Sequence, residues 1–94
     1  MNLIIKQGSN RFFIGESEDN DLARITFYYE QENVIVIDHT FVAVELRGKA
    51  IAAKLLAKVV EFAKDNNLLI IPECSYAVVK MTRNDEYKDI LYKQ

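Results

Sequence analysis

The sequence predicts an α+β domain with a mostly antiparallel sheet, a C-terminal βαβ crossover and short C-terminal helices. Three observations predict this class: strand-like stretches fill the first half, a helical apolar repeat follows, and a short apolar run ends at Pro72. The chain has 94 residues, of which 50% are hydrophobic and 28% are charged. This length and composition indicate one globular domain spanning residues 1–94.

The first half of the chain predicts four antiparallel strands. Residues 3–7 and 10–15 are rich in apolar side chains and are joined by a Gly-Ser pair, which suits a tight hairpin because glycine tolerates positive φ. Residues 22–31 alternate apolar and polar side chains, and residues 34–42 form a β-branched run after a polar connection. We therefore expect a hairpin followed by two long paired strands.

An acidic segment separates these two pairs of strands. Residues 16–21 contain four carboxylates and no apolar side chain. The segment lacks the spaced ligands and the glycine of a calcium loop, so it predicts a solvated loop rather than a metal site.

The second half of the chain predicts a crossover. Apolar side chains recur with helical spacing over residues 46–64, and charged side chains recur on the opposite side. An Asp-Asn-Asn triplet ends this helix, because Asn suits the left-handed position after a helix, and residues 68–71 predict a short buried strand. Strand, helix and strand then form a right-handed crossover with parallel strands. Residues 75–82 and 85–92 predict two short helices.

Charge and cysteine content limit the environment and the partners of the protein. With 12 basic and 14 acidic residues the net charge is −2, so no global field attracts nucleic acid or an anionic membrane. The single cysteine cannot form an internal disulfide, as is typical of cytoplasmic proteins. The N-terminal residues lack a signal-peptide pattern, and the apolar runs are far shorter than the roughly 20 residues of a membrane span. We expect a cytoplasmic protein.

The junction at residues 42–52 predicts an anion site. Here a strand breaks into a helix through Gly48 and two alanines, which leave the backbone amides of the helix start accessible at the positive end of the helix dipole. Arg47 and Lys49 could add forked and point-charge contacts to a phosphate. The alternative is a purely structural junction, because small residues at a helix start are common and exposed cations are usually solvated.

The same junction, Arg-Gly-Lys-Ala-Ile-Ala at residues 47–52, resembles the Arg/Gln-x-x-Gly/Ala-x-Gly/Ala signature of the GNAT superfamily of acetyl-CoA-dependent N-acetyltransferases. His39-Thr40, the segment 70–76 and the closing residues 84–91 resemble the minimal branch of that superfamily more narrowly. The resemblance runs from about Ile25 to the C-terminus and implies the GNAT fold. Ala50 is a departure, because the family usually has glycine there.

The resemblance implies that acetyl-CoA is held mainly by the backbone. Backbone groups of Thr40 and Val42 would bind the pantetheine arm as an added strand. Amides at the helix start would bind the pyrophosphate, and they belong to Arg47, Gly48, Lys49, Ala50, Ile51 and Ala52. No metal is expected, because one histidine and one cysteine are too few ligands for a zinc site.

Cys74 and His39 are the predicted catalytic pair. Cys74 precedes a predicted helix, whose N-terminus favours a thiolate, and the resemblance implies an acetyl thioester on Cys74 with His39 as general base. The alternative for Cys74 is a small apolar filler after a buried strand. Simple alternation places His39 on the same face as Ile35, Ile37 and Phe41, where a histidine is commonly a hydrogen-bonded core residue.

Three further side chains are weaker catalytic candidates. Tyr76 could protonate the departing CoA thiolate, although a core aromatic is the simpler interpretation. Asp38 and Glu45 could act as bases for an attacking amine, although a solvated carboxylate explains each of them equally well.

The first hypothesis for function is a small acetyltransferase that binds acetyl-CoA and acetylates an amine, either through the cysteine thioester or by direct attack. The alternatives are a non-catalytic CoA-binding or protein-interaction module and a purely structural domain. The acceptor amine is unknown. The chain lacks the helices that wall the acceptor side in larger relatives, and such an open face favours a peptide or protein acceptor.

Overall fold

The computed structural model describes residues 3–93, so residues 1, 2 and 94 of the predicted domain lie outside the described part. Its centre is a five-stranded sheet with the strand order β1-β2-β3-β4-β5. The first four strands pair antiparallel and β5 pairs parallel to β4, which confirms the predicted α+β class and crossover. The strands are β1 (Lys6–Gly8), β2 (Arg11–Ser17), β3 (Asn20–Gln31), β4 (Val34–Val42) and β5 (Leu69–Pro72).

Two α-helices and two 3-10 turns complete the chain. The helices are α1 (Ile51–Asp65) and α2 (Ser75–Thr82), and the 3-10 turns are Val44–Leu46 and Asp85–Tyr87. Helix α1 begins five residues later than the predicted start at residue 46. The reason is local, because Gly48 has φ 82° and Ala50 has φ 58°, and these left-handed conformations cannot continue a right-handed helix.

Both helices pack on one face of the sheet, here called the helix face. Leu55, Leu56 and Val59 of α1, together with Ala77 and Met81 of α2, belong to one core of buried side chains. The sheet contributes to that core the residues Phe12, Ile14, Ile25, Phe27, Ile35 and Ile37. Helix α1 of the crossover and helix α2, which follows β5, therefore lie on the same side of the sheet.

The opposite face of the sheet is here called the rear face. Phe13 pairs with Arg24 and Tyr28 pairs with Val36, so these side chains point away from the helix face. Phe13 and Val36 are buried but lie outside the core formed with the helices. The rear face is thus built from sheet side chains without α1 or α2 over them.

A β-bulge at Asp38 changes which side chains of β4 point to which face. Phe27 of β3 pairs with Ile37, whereas the preceding residue, Thr26, pairs with His39, so Asp38 is an extra residue in β4. Thr26 belongs to the rear face, so its partner His39 also points there, and His39 is exposed. The expectation that His39 shares a face with Ile37 is therefore wrong.

The same bulge turns Thr40 and Val42 toward the helix face. Thr40 pairs with Ile25, and Val42 packs against the helix-face core. Phe41 points to the rear face, where the Arg24 guanidinium lies 4.6 Å from the centre of its ring. Because of this one inserted residue, Thr40 points to the helix face and His39 points to the rear face.

The C-terminal segment departs from the predicted second short helix. Residues 75–82 form α2 as predicted, but residues 85–92 contain only a 3-10 turn, and Leu91 then forms a parallel bridge with Ile70. The Ile70 amide donates to the Ile90 carbonyl at 2.8 Å and the Tyr92 amide donates to the Ile70 carbonyl at 2.9 Å. An extended segment satisfies the free edge of β5, which a helix could not do.

The acidic segment is more ordered than the predicted solvated loop. Ser17 pairs with Asn20, so β2 and β3 continue into it and only Glu18-Asp19 forms the turn. The Asp21 side chain is only 6% exposed, and its Oδ1 accepts from Arg24 at 2.8 Å. The cause is the register shift at Gly15, where φ is 148° and a Cβ would lie 2.6 Å from the Asp21 Cα.

Two further sequence expectations concern the first turn and the membrane. The turn between β1 and β2 is formed by Ser9-Asn10, and Asn10 rather than Gly8 takes the positive φ. No helix within residues 3–93 is long and apolar enough to cross a membrane.

Candidate functional site

A cleft opens where β4 and β5 separate. The two strands pair only as far as Ile37 and Pro72. The amides of Glu73 and Cys74 then both donate to the Ile37 carbonyl, at 2.9 and 3.1 Å, and the chain turns into α2. Residues 38–42 consequently pair with β3 alone, so within residues 3–93 no strand covers their other edge, and the Val42 carbonyl there accepts from the Arg47 side chain.

The Cys74 thiol lies at the inner end of this cleft. Its Sγ is 3.3 Å from the Thr40 Oγ1 and accepts from the Ala77 amide at 3.4 Å, which makes Cys74 the N-cap of α2. Both Thr40 and Cys74 are half-buried. The Thr40 hydroxyl and the Ala77 amide at the start of α2 therefore converge on the Cys74 sulfur.

The structure separates the two residues of the predicted catalytic pair. His39 points to the rear face beside Thr26, whereas Cys74 packs toward the helix-face core. Within residues 3–93, the side-chain hydrogen bond of the thiol is to Thr40 and none joins it to His39. The role of His39 as a base stays a prediction.

The predicted anion site lies at the start of α1. The first helical hydrogen bond runs from the Lys54 amide to the Ala50 carbonyl at 3.2 Å, so the amides of residues 51–53 precede it and have no acceptor inside the helix. A Cβ at Gly48 would meet no atom within 4 Å, so this glycine serves the backbone conformation and leaves the approach open. A cavity of about 210 Å³ lies here, lined by Val42, Leu46, Arg47, Gly48, Ala50, Ile51 and Ala52.

Arg47 is placed differently from the other five residues of the predicted pyrophosphate site. Its amide donates to the Val44 carbonyl at 3.2 Å within the 3-10 turn, so this amide is already used. Its side chain is exposed, and Nε donates to the Val42 carbonyl at 3.2 Å. Arg47 therefore joins the end of β4 to the anion site through its side chain, and Lys49 is exposed nearby in the chain.

Tyr76 lies in the first turn of α2, two residues after the thiol. Burial raises the pKa of Tyr76 above 10.0, and Tyr87 and Cys74 add to this rise. The weaker candidate bases are less well placed, because Asp38 accepts from Thr26 at 2.6 Å on the rear face and Glu45 is exposed in a 3-10 turn.

The Thr40 side chain is the site residue that sequence reasoning missed, since only its backbone was expected to bind the ligand. The signal was the polar run of residues 38–40, Asp-His-Thr, in an otherwise apolar strand. Such an interruption is where a bulge would re-aim the side chains that follow.

Comparisons with known proteins identify the family. The family described as GCN5-related N-acetyl-transferase matches residues 11–90. A GCN5-like protein from Staphylococcus aureus, solved by NMR, is 47% identical, with 99% of this chain and 91% of that chain covered and a TM-score of 0.82. No match is found among curated proteins.

Larger acetyltransferases share the fold at lower identity. A GNAT family acetyltransferase from Staphylococcus aureus Mu50 is 19% identical over 83% of this chain, with a TM-score of 0.58. One from Elizabethkingia anophelis with acetyl-CoA bound is 14% identical over 78%, also with a TM-score of 0.58. This chain spans 50% of the length of each. The matched family and the close likeness over nearly the whole chain lead to one conclusion: this chain belongs to the GCN5-related N-acetyltransferase family.

Proposed function

We propose that the protein binds acetyl-CoA in the cleft between β4 and β5 and transfers the acetyl group to an amine through a thioester on Cys74. The observation that carries this proposal is the position of the thiol, which lies against Thr40 where the two strands separate. Acetyl-CoA is bound in a larger protein of the same fold, which supports the choice of co-substrate.

The chain offers binding groups for both ends of acetyl-CoA. The free edge of β4 at Thr40 and Val42 fits the amides of the pantetheine arm, and the amides from Gly48 to Ala52 fit the pyrophosphate. The Arg47 and Lys49 side chains add positive charge at the same place. Ala50 adopts the left-handed conformation that points these amides to one place, although glycine adopts this conformation more readily. Its methyl group leaves the pyrophosphate less room than a glycine would.

Acetyl transfer to the enzyme needs a nucleophile and two proton steps. Cys74 loses its thiol proton to a base and forms a bond to the acetyl carbon, and the bond from that carbon to the CoA sulfur breaks. Tyr76, which lies two residues after Cys74 in the first turn of α2, is the proposed donor of a proton to the departing CoA thiolate. His39 is the proposed base. Its side chain lies on the rear face, so it must move past Asp38 to accept the thiol proton.

Transfer to the acceptor restores the enzyme. A neutral amine forms a bond to the acetyl carbon, and the bond to Cys74 Sγ breaks. The Cys74 thiolate takes back the proton that the base holds, and the proton that the nitrogen loses returns through water to the Tyr76 phenolate. In the direct alternative the amine attacks acetyl-CoA itself, and Cys74 then only packs the start of α2. The non-catalytic alternative keeps CoA binding and loses both steps.

The test is intact-mass spectrometry after mixing the protein with acetyl-CoA in the absence of an acceptor. We expect one acetyl adduct that hydroxylamine removes, that is absent in Cys74→Ala and that is diminished in His39→Ala. Absence of the adduct, with acetyl transfer to amines retained in Cys74→Ala, would show direct attack. A thermal shift with CoA, without acetyl transfer to the enzyme or to an amine, would show a CoA-binding module.

We also propose that the protein acts in the cytoplasm.

A further inference from the structure

The Val42 carbonyl lies on the free edge of β4. The amide of the next residue, Ala43, donates to the Leu22 carbonyl of β3 at 2.8 Å, so the backbone groups of Ala43 face β3. Successive residues of a strand direct their backbone groups to opposite edges, so the Val42 carbonyl points away from β3. Pairing with β5 ends at Ile37, and within residues 3–93 no further strand covers this edge. The Val42 carbonyl is therefore an acceptor for an amide of a pantetheine arm that adds to β4.

The Arg47 side chain occupies this acceptor. Its Nε donates to the Val42 carbonyl at 3.2 Å, and among the residues that the structure describes this is the one hydrogen bond of the guanidinium. The 3-10 turn Val44–Leu46 brings Arg47 back to Val42, and the Arg47 amide closes that turn by donating to the Val44 carbonyl. The side chain therefore blocks a backbone group that the pantetheine arm needs.

Arg47 has a second partner available in the same cavity. Both Arg47 and Val42 line the cavity of about 210 Å³ at the start of α1, where the free amides of residues 51–53 lie. The Arg47 side chain is exposed, so it can rotate without disturbing the core. Neither salt bridge of residues 3–93 involves it. The guanidinium can therefore leave the Val42 carbonyl for an anion bound at the start of α1.

The two partners of Arg47 differ in strength. A guanidinium binds a phosphate through two parallel charge-assisted hydrogen bonds, whereas its bond to the Val42 carbonyl is single and the carbonyl is neutral. A ligand with a diphosphate thus replaces the contact to Val42 with a stronger one and frees the carbonyl for its pantetheine arm. A pantetheine ligand without phosphate has to break the same contact and offers the guanidinium nothing in return, which is a repulsive element of specificity.

We propose that Arg47 is a specificity residue that holds the Val42 carbonyl until a phosphate takes its place, and so selects pantetheine ligands that carry a diphosphate. This inference deepens the proposed function and rests on it, because it requires the pantetheine arm to pair with β4. It also couples the two parts of the site. An anion at the start of α1 favours pairing of the arm with β4, and the coupling acts equally in the other direction.

The first test measures the dissociation constants of CoA and of pantetheine, which carries no phosphate, from backbone amide shifts. It compares the wild type with Arg47→Met, which keeps an unbranched side chain without an N–H donor, and with Lys64→Ala, which removes one positive charge at the far end of α1. We expect Arg47→Met to bind pantetheine about fivefold more tightly than the wild type, because the Val42 carbonyl is free, and to bind CoA no more tightly. Lys64→Ala should match the wild type for both ligands.

The second test adds inorganic pyrophosphate to the pantetheine titration. We expect saturating pyrophosphate to tighten pantetheine binding to the wild type by about fivefold, because the anion draws the Arg47 guanidinium away from Val42. In Arg47→Met pyrophosphate should leave pantetheine binding unchanged. No tightening in the wild type, or equal tightening in both proteins, would overturn the inference.

The outcomes separate this inference from the proposed function. If CoA shifts the amides of residues 40–42 and 48–53 but Arg47→Met binds pantetheine no more tightly than the wild type, the role of Arg47 is wrong and the proposed function stands. Tighter binding of both ligands by Arg47→Met would show an obstruction without selectivity and would also overturn the inference. If CoA shifts none of these amides in the wild type, the proposed binding site is overturned, and the role of Arg47 with it.

Discussion

The Thr40 hydroxyl and the Cys74 thiol meet across the cleft, with 3.3 Å between Oγ1 and Sγ. Thr40 reaches the thiol only because the bulge at Asp38 turns it to the helix face. The Ala77 amide approaches the same sulfur from the start of α2. These two contacts link the topology of the sheet to the chemistry proposed for Cys74.

Replacing Thr40 tests whether its hydroxyl supports the thiolate. We expect Thr40→Val to slow alkylation of Cys74 by iodoacetamide at neutral pH by about fivefold, because one hydrogen bond to the thiolate is worth roughly 1 kcal/mol. Thr40→Ser should react nearly as the wild type does. Thr82→Val, at the far end of α2, is the control. Equal alkylation rates in all four proteins would leave Thr40 with a packing role only.

The sequence predicts the fold because its periodicity is strong where burial decides the structure. The bounds of β4 and α2 match the expectation, and so does the parallel pairing of β5 with β4. Strand β4 begins with a continuous buried apolar run, and α2 buries Ala77 and Met81 at helical spacing. The end of the chain is different. Residues 85–92 have a helical pattern, but the free edge of β5 pairs with an extended strand there, and this tertiary effect leaves no local signal.

The site is predicted less completely than the fold for a similar reason. An anion site is predicted from local composition at residues 47–52. In the structure the amides of residues 51–53 have no acceptor inside α1, whereas the Arg47 amide donates to Val44. The choice between His39 and Thr40 beside the thiol depends instead on one inserted residue, because a shift by one position reverses the faces of a strand. Alternation alone cannot locate that insertion.

Ala50 is the place to test backbone strain at the anion site. Its φ of 58° is unfavourable for a residue with a Cβ, so we expect Ala50→Gly to raise the free energy of unfolding by up to about 1 kcal/mol. It should also tighten CoA binding, because the methyl group no longer narrows the approach. Ala57→Gly, exposed in the middle of α1, should lower stability by about 1 kcal/mol. Urea unfolding checks both, and a loss of stability in Ala50→Gly would contradict the account.

Asp21 should contribute more to stability than Asp19, which lies in the exposed turn of the acidic segment. We expect Asp21→Asn to lower the free energy of unfolding by about 1 to 2 kcal/mol, because it removes the charge-assisted contact to Arg24 from a largely buried side chain. Asp19→Asn, in the exposed turn, should change it by less than about 0.5 kcal/mol. Adding Ca²⁺ or Mg²⁺ should change neither value, and stabilisation by either ion would reveal a metal site.

Stability should fall at alkaline pH because of three tyrosines. The pKa values of Tyr28, Tyr76 and Tyr87 are raised above 10.0, with burial as the largest cause for each. Below pH 10 these phenols are protonated in both states, so they give no pH dependence. Above it the unfolded chain loses protons that the folded chain keeps, so the free energy of unfolding declines.

Chemical unfolding followed between pH 8 and pH 11 checks this expectation, which concerns alkaline pH only. The decline should be smaller in Tyr76→Phe and in Tyr87→Phe. A stability that stays constant up to pH 11, or rises, would contradict the assignment of raised pKa values.

We propose that bound acetyl-CoA lies across the end of β4 and the start of α1. The most direct measurement is a titration of the isotope-labelled protein with CoA, followed by the chemical shifts of the backbone amides. We expect the largest shifts on residues 40–42 and 48–53. They should shrink as salt is added, and Lys64→Ala, at the far end of α1, should leave them unchanged. Large shifts elsewhere, with these residues unmoved, would contradict it.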